Sequence, residues 1–419
     1  MIQKILDFIN ESPTAFHAVK NIKNILDESG FCELDEKEKW SIKQSGSYYV
    51  VRNNSSIIAF IYENDGGFRS IGTHTDSPCF KLKPMHILPQ KEGCITLNTQ
   101  PYAKTIMSTW FDRPLSIAGR IVFADGTESL VNLKKPLFII PNIAIHLNKA
   151  VNDGYKYNAQ KDLLPLAALS DGKEPDKNFI LDIVCKDLGR KANEVDAFDL
   201  FLYDAQKGGL CGINNEFISS ARIDNLALTF AALNALVERK SFGGTKNALF
   251  CAFDNEEIGS LSYSGAQSDF LKTVLKRIFI ATGKTEEHLF ISLANSVLIS
   301  ADAAHAAHPN YSEKTDGVSQ IRLGGGLAIK CSARMNYATT ATSAAILKRA
   351  CEKAGVPYQY YAERSDNPVG CTIGPIITAA TGIKAVDAGI PMFSMHSVRE
   401  LAAVSDIENT LKAFSAFYL

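Results

Sequence analysis

The sequence predicts an α/β protein: a mostly parallel sheet flanked by helices, interrupted by an inserted, mainly β segment. Three observations carry this. From about residue 211 onward, helical and strand-like runs alternate, the pattern of parallel strands joined by covering helices. Between about residues 79 and 210 the runs are strand-like instead, separated by turn signals such as "ADGT". And 419 residues exceed what one simple core organises, so more than one domain is expected. The expected division is 1–78 and 211–419 for the α/β part, with 79–210 inserted between them.

In chain order, Ser12 as N-cap, Pro13 at the first helical position and Gly30 past the end bound a helix. Its Phe16, Val19, Ile22, Ile25 and Leu26 recur at helical spacing. "SYYVVRNNSSIIAFIYE" reads as a hairpin about "NNSS", and "FRSIGTHTDSP" as a third strand ending near His74. In the inserted segment "CFKLKPMHILPQKEGCITLNTQPY", "IAGRIVFADGTESLVNL" and "NFILDIVCKDL" read as strands. Then follow a helix in "DNLALTFAALNALVERK", a strand in "ALFCAFD", a helix in "SDFLKTVLKRIFI", a strand in "VLISAD" and a helix in "TATSAAILKRACEKAG". "GGG" at 324–326 lacks the Lys-Ser/Thr sequel of a phosphate-binding loop and reads as a turn.

Composition excludes several classes. With 44 basic and 45 acidic residues the net charge is −1, which points to no nucleic acid and no membrane surface as partner. No apolar run approaches the roughly 20 residues that cross a bilayer, and the N-terminus lacks a signal-peptide core. Nine cysteines without a CxxC pair read as free thiols in a reducing compartment, hence a cytoplasmic protein.

The chemistry concentrates at predicted strand ends. "FDNEEIGS" sets Asp254, Glu256 and Glu257 side by side behind a buried strand, where like charges repel, so either all three point into solvent or a cation sits among them. Further candidates are His74 and Asp76 in "GTHTDSP", Asp224 in "ARIDNLA", Asp302, His305 and His308 in "SADAAHAAHP", and His396 in "SMHSVRE". Two divalent cations sharing one carboxylate would neutralise the acids and need about five His and carboxylate ligands, a mixture that suits zinc, with cobalt or manganese as alternatives. Of two adjacent glutamates, one can bind metal while the other takes a proton from the shared water. That is hydrolytic chemistry.

"SPTAFHAV", "GTHTDSP", "STWFDRPLSIAGR", "IPNIAIHL", "RIDNL", "FDNEEIGS", "SADAAHAAHPNY" and "MHSVREL" occur in order from residue 12 to 401. Together they resemble the signature stretches of the aspartyl aminopeptidase family of dizinc metallopeptidases, to which the yeast vacuolar aminopeptidase also belongs. The resemblance implies a zinc-peptidase-like catalytic domain with an inserted dimerisation domain, acting on peptides with a free N-terminus. It implies that His74, Asp224 and Asp302 hold one metal and Asp224, Glu257 and His396 the other, with Asp224 bridging. Glu256 would be the general base and Asp76 would orient His74. His146 would reach a neighbouring subunit's site and help to stabilise the tetrahedral intermediate, in homodimers that build a tetrahedral dodecamer. Lys330, Tyr337, His305 and His308 fall where the substrate pocket is expected, and a lysine there favours an N-terminal Asp or Glu.

Plainer readings stand beside these. His17 and His288 read as surface or helix-packing residues, His86 as a strand residue, and Cys251 as a small buried hydrophobe. Without the family pattern, His146 reads as a core histidine between apolar neighbours. Rival functions are a deacylase or carboxypeptidase with a similar core, a glycosidase using paired carboxylates, and a silent assembly protein.

Overall fold

The computed structural model describes residues 1–367 and 370–419, which divide into two compact units. The first comprises Met1–Asp76, Gly208–Met395 and Glu400–Leu419; the second comprises Ser77–Lys207 and His396–Arg399.

A nine-stranded sheet forms the centre of the first unit. In spatial order its strands are Cys32–Glu33, Gly46–Arg52, Ser56–Tyr62, Asn247–Phe253, Phe68–His74, Val297–Ala301, Lys384–Gly389, Leu327–Cys331 and Tyr358–Ala362. The four strands from Asn247–Phe253 to Lys384–Gly389 run parallel, and antiparallel pairings adjoin them on both sides. The sheet is therefore mixed, with a parallel middle. Every residue of Ser56–Tyr62 and of Asn247–Phe253 is buried, as expected where apolar side chains face helices on both sides. The hairpin turns through Asn53 and Asn54, both left-handed at φ 57° and 54°, so that Arg52 pairs with Ser56. Asparagine tolerates that region better than most residues.

Helix Ile223–Phe242 buries most of its length against this sheet, and helix Val404–Tyr418 packs beside it. Two N-terminal features depart from the sequence reading. Helix Ile2–Asn10, burying Ile5, Leu6, Phe8 and Ile9, has no capping side chain to announce it. The next helix spans Ala15–Glu28 with Thr14, not Ser12, as its extended N-cap. Ser12 is buried instead and accepts a hydrogen bond from Asn21 at 2.9 Å.

The 324–326 glycines do form a turn, and its conformation demands them. Gly326 has φ 86°, and a Cβ there would lie 2.0 Å from the Pro357 carbonyl oxygen. Asp406, fully buried in the first turn of the last helix, accepts the Gly324 and Gly326 N–H groups at 2.7 and 2.8 Å. Burial, opposed by those two hydrogen bonds, pushes its carboxyl up to about 6. A native pKa above the ordinary value means that the folded chain holds this proton more tightly than the unfolded one. Its contribution to stability is therefore largest below about pH 4 and is lost as pH rises through 6. Relative to Asp406→Asn, which cannot titrate, wild type should lose roughly 2–3 kcal/mol between pH 4 and 7 at 1.36 kcal/mol per pH unit. Urea melts of both proteins at the two pH values, with chelator throughout, check this; a constant difference would mean a carboxylate that stays ionised.

The second unit has a six-stranded antiparallel sheet in the order Glu128–Asn132, Leu115–Phe123, Val195–Asp204, Cys79–Ile87, Cys94–Tyr102 and Leu166–Leu169. Phe80, Trp110, Ile117 and Leu200 lie in its core. "NFILDIVCKDL" is not a strand: Phe179–Asp187 is a helix that buries Ile180, Leu181, Val184 and Cys185. A short apolar run fits either period, and here the paired spacing was the helical one. Among the described residues no helix is long and apolar enough to cross a membrane.

Candidate active site

The parallel middle of the sheet gathers the candidate residues. Phe253 pairs with His74, and Ala301 with Ala388, so His74, the turn 254–257 and Asp302 all emerge at the carboxyl ends of adjoining strands. Ligand sites of open α/β sheets form at that edge. Close approach there requires a glycine, since a Cβ on Gly389 would lie 1.7 Å from the Asp302 carbonyl oxygen.

His74 is buried and central. Its Nε2 lies 3.4 Å from Asp224 Oδ1, 3.9 Å from Asp302 Oδ1 and 4.0 Å from Glu256 Oε2. On its other side Nδ1 is 3.0 Å from the Asp76 carbonyl oxygen and 3.4 Å from the Asp76 carboxylate. Thr229 donates to the His74 carbonyl at 2.9 Å. Asp76 does more than face the imidazole. Its two oxygens accept the backbone N–H groups of Glu256 and Glu257, each at 3.1 Å, and so fix the turn that carries both glutamates.

That turn is tightly specified. Asn255 is left-handed at φ 63°, Glu256–Ile258 form one 3-10 turn, and Gly259 at φ 100° ends it. Asp254, the third acid of the run, takes a local part: its Oδ1 accepts the Asn255 N–H at 2.8 Å, and its own N–H donates to Ser56 at 2.8 Å. Only Glu256 and Glu257 are left to face the cluster.

Asp224 stands at the N-terminal end of helix Ile223–Phe242, itself in a non-helical conformation at φ −77° and ψ 106°, where an acid suits the dipole of the helix that follows. Its N–H donates to Glu400 Oε2 at 3.0 Å, and Asn225 next to it donates to the Ala301 carbonyl at 2.7 Å. Glu400 is a buried positioning residue that sequence reasoning missed, although it lies inside the quoted "MHSVREL". The available signal was an acid opening the short apolar strand Glu400–Ala403, just before the last helix.

Electrostatics identify what the cluster attracts. Burial disfavours charge on His74, yet Asp224, Asp302 and Asp76 outweigh it and hold its pKa well above the usual imidazole range. Burial raises Glu256 well above the carboxylate range, His74 opposes this, and Asp302 and Glu257 reinforce it. The acids thus draw positive charge to the His74 imidazole. Two donor sets, His74 with Asp224 and Asp302 and His74 with Glu256 and Glu257, have ligand atoms within 4.8 Å of one another. Mixed imidazole and carboxylate donors at such spacing fit a divalent ion of the zinc type.

Known proteins settle the family. The model of the aminopeptidase I zinc metalloproteases, M18, matches residues 8–418. The chain belongs to the M18 family. A probable M18 family aminopeptidase 2 of Clostridium acetobutylicum is 45% identical over 425 residues, covering 99% of this chain and 98% of the relative. Among solved structures, one of an Ape4–Nbr1 complex superposes with a TM-score of 0.95 at 38% identity, covering 99% of this chain and 85% of that one. The mApe1 dodecamer of Saccharomyces cerevisiae gives 0.87 at 29%, covering 99% and 95%. Metal-dependent aminopeptidase activity goes with M18 membership.

In this M18 chain the expected pocket residues fall into two groups. Lys330 is buried, with Nζ 3.8 Å from Asp302 Oδ2 and 5.2 Å from the centre of the Tyr337 ring. His305 and His308 instead line a cavity of about 300 Å³ with Tyr311, Tyr361, Glu363 and Arg364. The His308 ring lies 5.1 Å from those of both Tyr311 and Phe393, so it packs there. His396 and His146 belong to the second unit. The His396 carbonyl accepts the Ile106 N–H at 3.0 Å. His146 is no core histidine: it is exposed, as are Ile143, Ile145 and Leu147 around it. His86 is a buried strand residue, as its sequence context implies.

Proposed function

We propose that this M18 aminopeptidase is a two-metal enzyme that removes an acidic N-terminal residue from peptides. The observation that carries the reading is the convergence of His74, Asp224, Glu256, Glu257 and Asp302 in one cluster that attracts positive charge. In this reading His74, Asp224 and Asp302 hold one ion and Asp224, Glu257 and His396 the other. Zinc is the first choice, and cobalt or manganese accept the same donor types. Divalent ions held there supply the charge that acidifies a water and polarises a substrate carbonyl. Glu256 accepts the water's proton and returns it to the leaving amine. Asp76 keeps His74 and both glutamates in place through the contacts described above.

His146 is assigned to a neighbouring subunit's site as a hydrogen-bond donor to the developing oxyanion. Its exposure suits that part. Assembly through the β-rich segment 79–210 into homodimers, and then a tetrahedral dodecamer, is proposed from the dodecameric mApe1 relative and the exposed apolar residues beside His146. The catalytic part is then 1–78 with 211–419. Nine free cysteines suit a cytoplasmic enzyme.

A panel of aminoacyl chromogenic substrates tests the reading, assayed with chelator and then with zinc, cobalt or manganese restored. Asp and Glu substrates should be preferred, chelator should stop turnover, and an N-acetylated peptide should be refused. Lys330→Met should cut the preference for Asp over Leu by roughly tenfold to a hundredfold, the worth of a charge-assisted hydrogen bond of about 1.5–3 kcal/mol. An unchanged preference would remove Lys330 from specificity, and turnover that survives chelation would refute the metal mechanism.

A further inference from the structure

Lys330 and Tyr337 form a pair whose geometry depends on a third residue, Glu363. Lys330 stands on strand Leu327–Cys331, in register with Tyr361 on the parallel strand Tyr358–Ala362. Side chains in register on adjacent strands share a face, and so do residues two apart along a strand. Glu363, two beyond Tyr361, is thereby delivered to the Lys330 side of the sheet.

There it meets Tyr337. The Tyr337 hydroxyl donates to Glu363 Oε1 at 2.7 Å, while the N–H of the next residue, Ala338, donates to the buried Asp387 carboxylate at 2.6 Å. The ring is tethered at its tip and its backbone alike, and its face carries the Lys330 ammonium. Glu363 Oε2 is also buried, and it meets no hydrogen-bond partner among the described residues. The residue as a whole is half-buried, and besides the Tyr337 hydroxyl its carboxylate faces the attraction of the Lys330 and Arg334 charges, so it bears on both members of the pair. The same side chain lines the cavity that holds His305 and His308. It thus joins the two groups of expected pocket residues.

We propose that Glu363 is a positioning residue of the substrate pocket: it holds the Tyr337 ring, and through it the Lys330 ammonium, at the place where the substrate's first side chain is read. The inference rests on the proposed acidic pocket. Glu363 itself touches no reacting atom, so its loss should weaken binding and leave chemistry alone.

The test uses the zinc-loaded, full-length enzyme and measures KM and kcat for Glu and Leu aminoacyl substrates. Glu363→Ala should raise KM for the Glu substrate about tenfold, with kcat and the Leu KM within about twofold of wild type. Glu363→Gln retains an acceptor oxygen and should recover most of the loss. Tyr337→Phe, which keeps the ring and the core, should reproduce the Glu363→Ala defect. The double variant should be no worse than either single one, because both break the same hydrogen bond. The proposal is overturned by a Glu363→Ala KM within twofold of wild type, by additive single effects, or by a Gln variant as impaired as Ala. Should Glu363→Ala not fold, Tyr337→Phe and Glu363→Gln decide alone: Tyr337→Phe at wild-type KM overturns it. Failure of the acidic-pocket reading looks different, as an unchanged Glu-to-Leu ratio in Lys330→Met, and the KM coupling between Glu363 and Tyr337 still decides the positioning role.

Discussion

Glu256→Gln should retain its zinc and lose turnover by about 10³-fold, within the 10²–10⁴ range of a displaced general base. The expectation follows from a division of labour within one turn. Glu256 and Glu257 are both held by Asp76 through their backbone N–H groups, so neither side chain is needed to keep the other in place. Glutamine fills the same volume and spares the turn, while the atom that accepts the proton becomes an amide. Glu256 and Glu257 both stand within ligand distance of His74, so geometry alone admits either as metal ligand. Metal content separates the two roles. Zinc retained with turnover lost assigns Glu256 as base, and zinc lost in Glu256→Gln but retained in Glu257→Gln exchanges them. Wild-type kcat in Glu256→Gln would remove it from the chemistry. The raised pKa of Glu256 runs in the direction a proton acceptor at neutral pH requires, and a nearby cation acts in the opposite sense.

The parallel middle of the sheet was legible in the sequence because its strands are unbroken apolar runs. "ALFCAF" admits little else when both faces are covered. The cluster was legible for the complementary reason: "NEE" behind such a strand is a conflict that local structure does not resolve. Asp254 shows the limit of that logic, since one of the three acids was a turn residue rather than a site residue. What escaped were relations between distant segments. Glu400 contacts Asp224 across 176 positions, and Glu363 meets Tyr337 only because two strands fall into register. Glu400 shows in its own neighbourhood only as an acid opening an apolar strand, and Glu363 carries no mark there. Helix Phe179–Asp187 was misread because nine residues are too few for the helical period to stand out from a strand. His146 is the converse case, where only the family resemblance points away from a core position. Apolar neighbours suggested a core, and the structure exposes them all.

Asp224→Ala should empty both metal positions, and it should do so without weakening the protein from which metal has been stripped. The two halves have one cause. Asp224 is buried within 3.4 Å of His74 and stands in the donor set with His74 and Asp302; as a bridge it would serve both ions, so its loss removes a ligand from each. It is also one of several acids crowded into one volume, and removing a like charge relieves repulsion there. In chelator, Asp224→Ala should therefore melt no lower than wild type. In saturating zinc, wild type should gain stability as RT ln(1 + [L]/Kd), about 4 kcal/mol at a thousandfold excess over Kd, while the variant gains little. Elemental analysis and paired melts with and without zinc make the comparison. The His74 imidazole offers a third reading, because losing Asp224 removes the first of the acids that hold its pKa up, and NMR titration should find it lowered. Full zinc occupancy in the variant would show that Asp224 does not bridge. A lower melting temperature in chelator would show that the carboxylate is held by structural contacts, as a buried acid with a satisfied hydrogen-bond network would be, rather than kept for a cation.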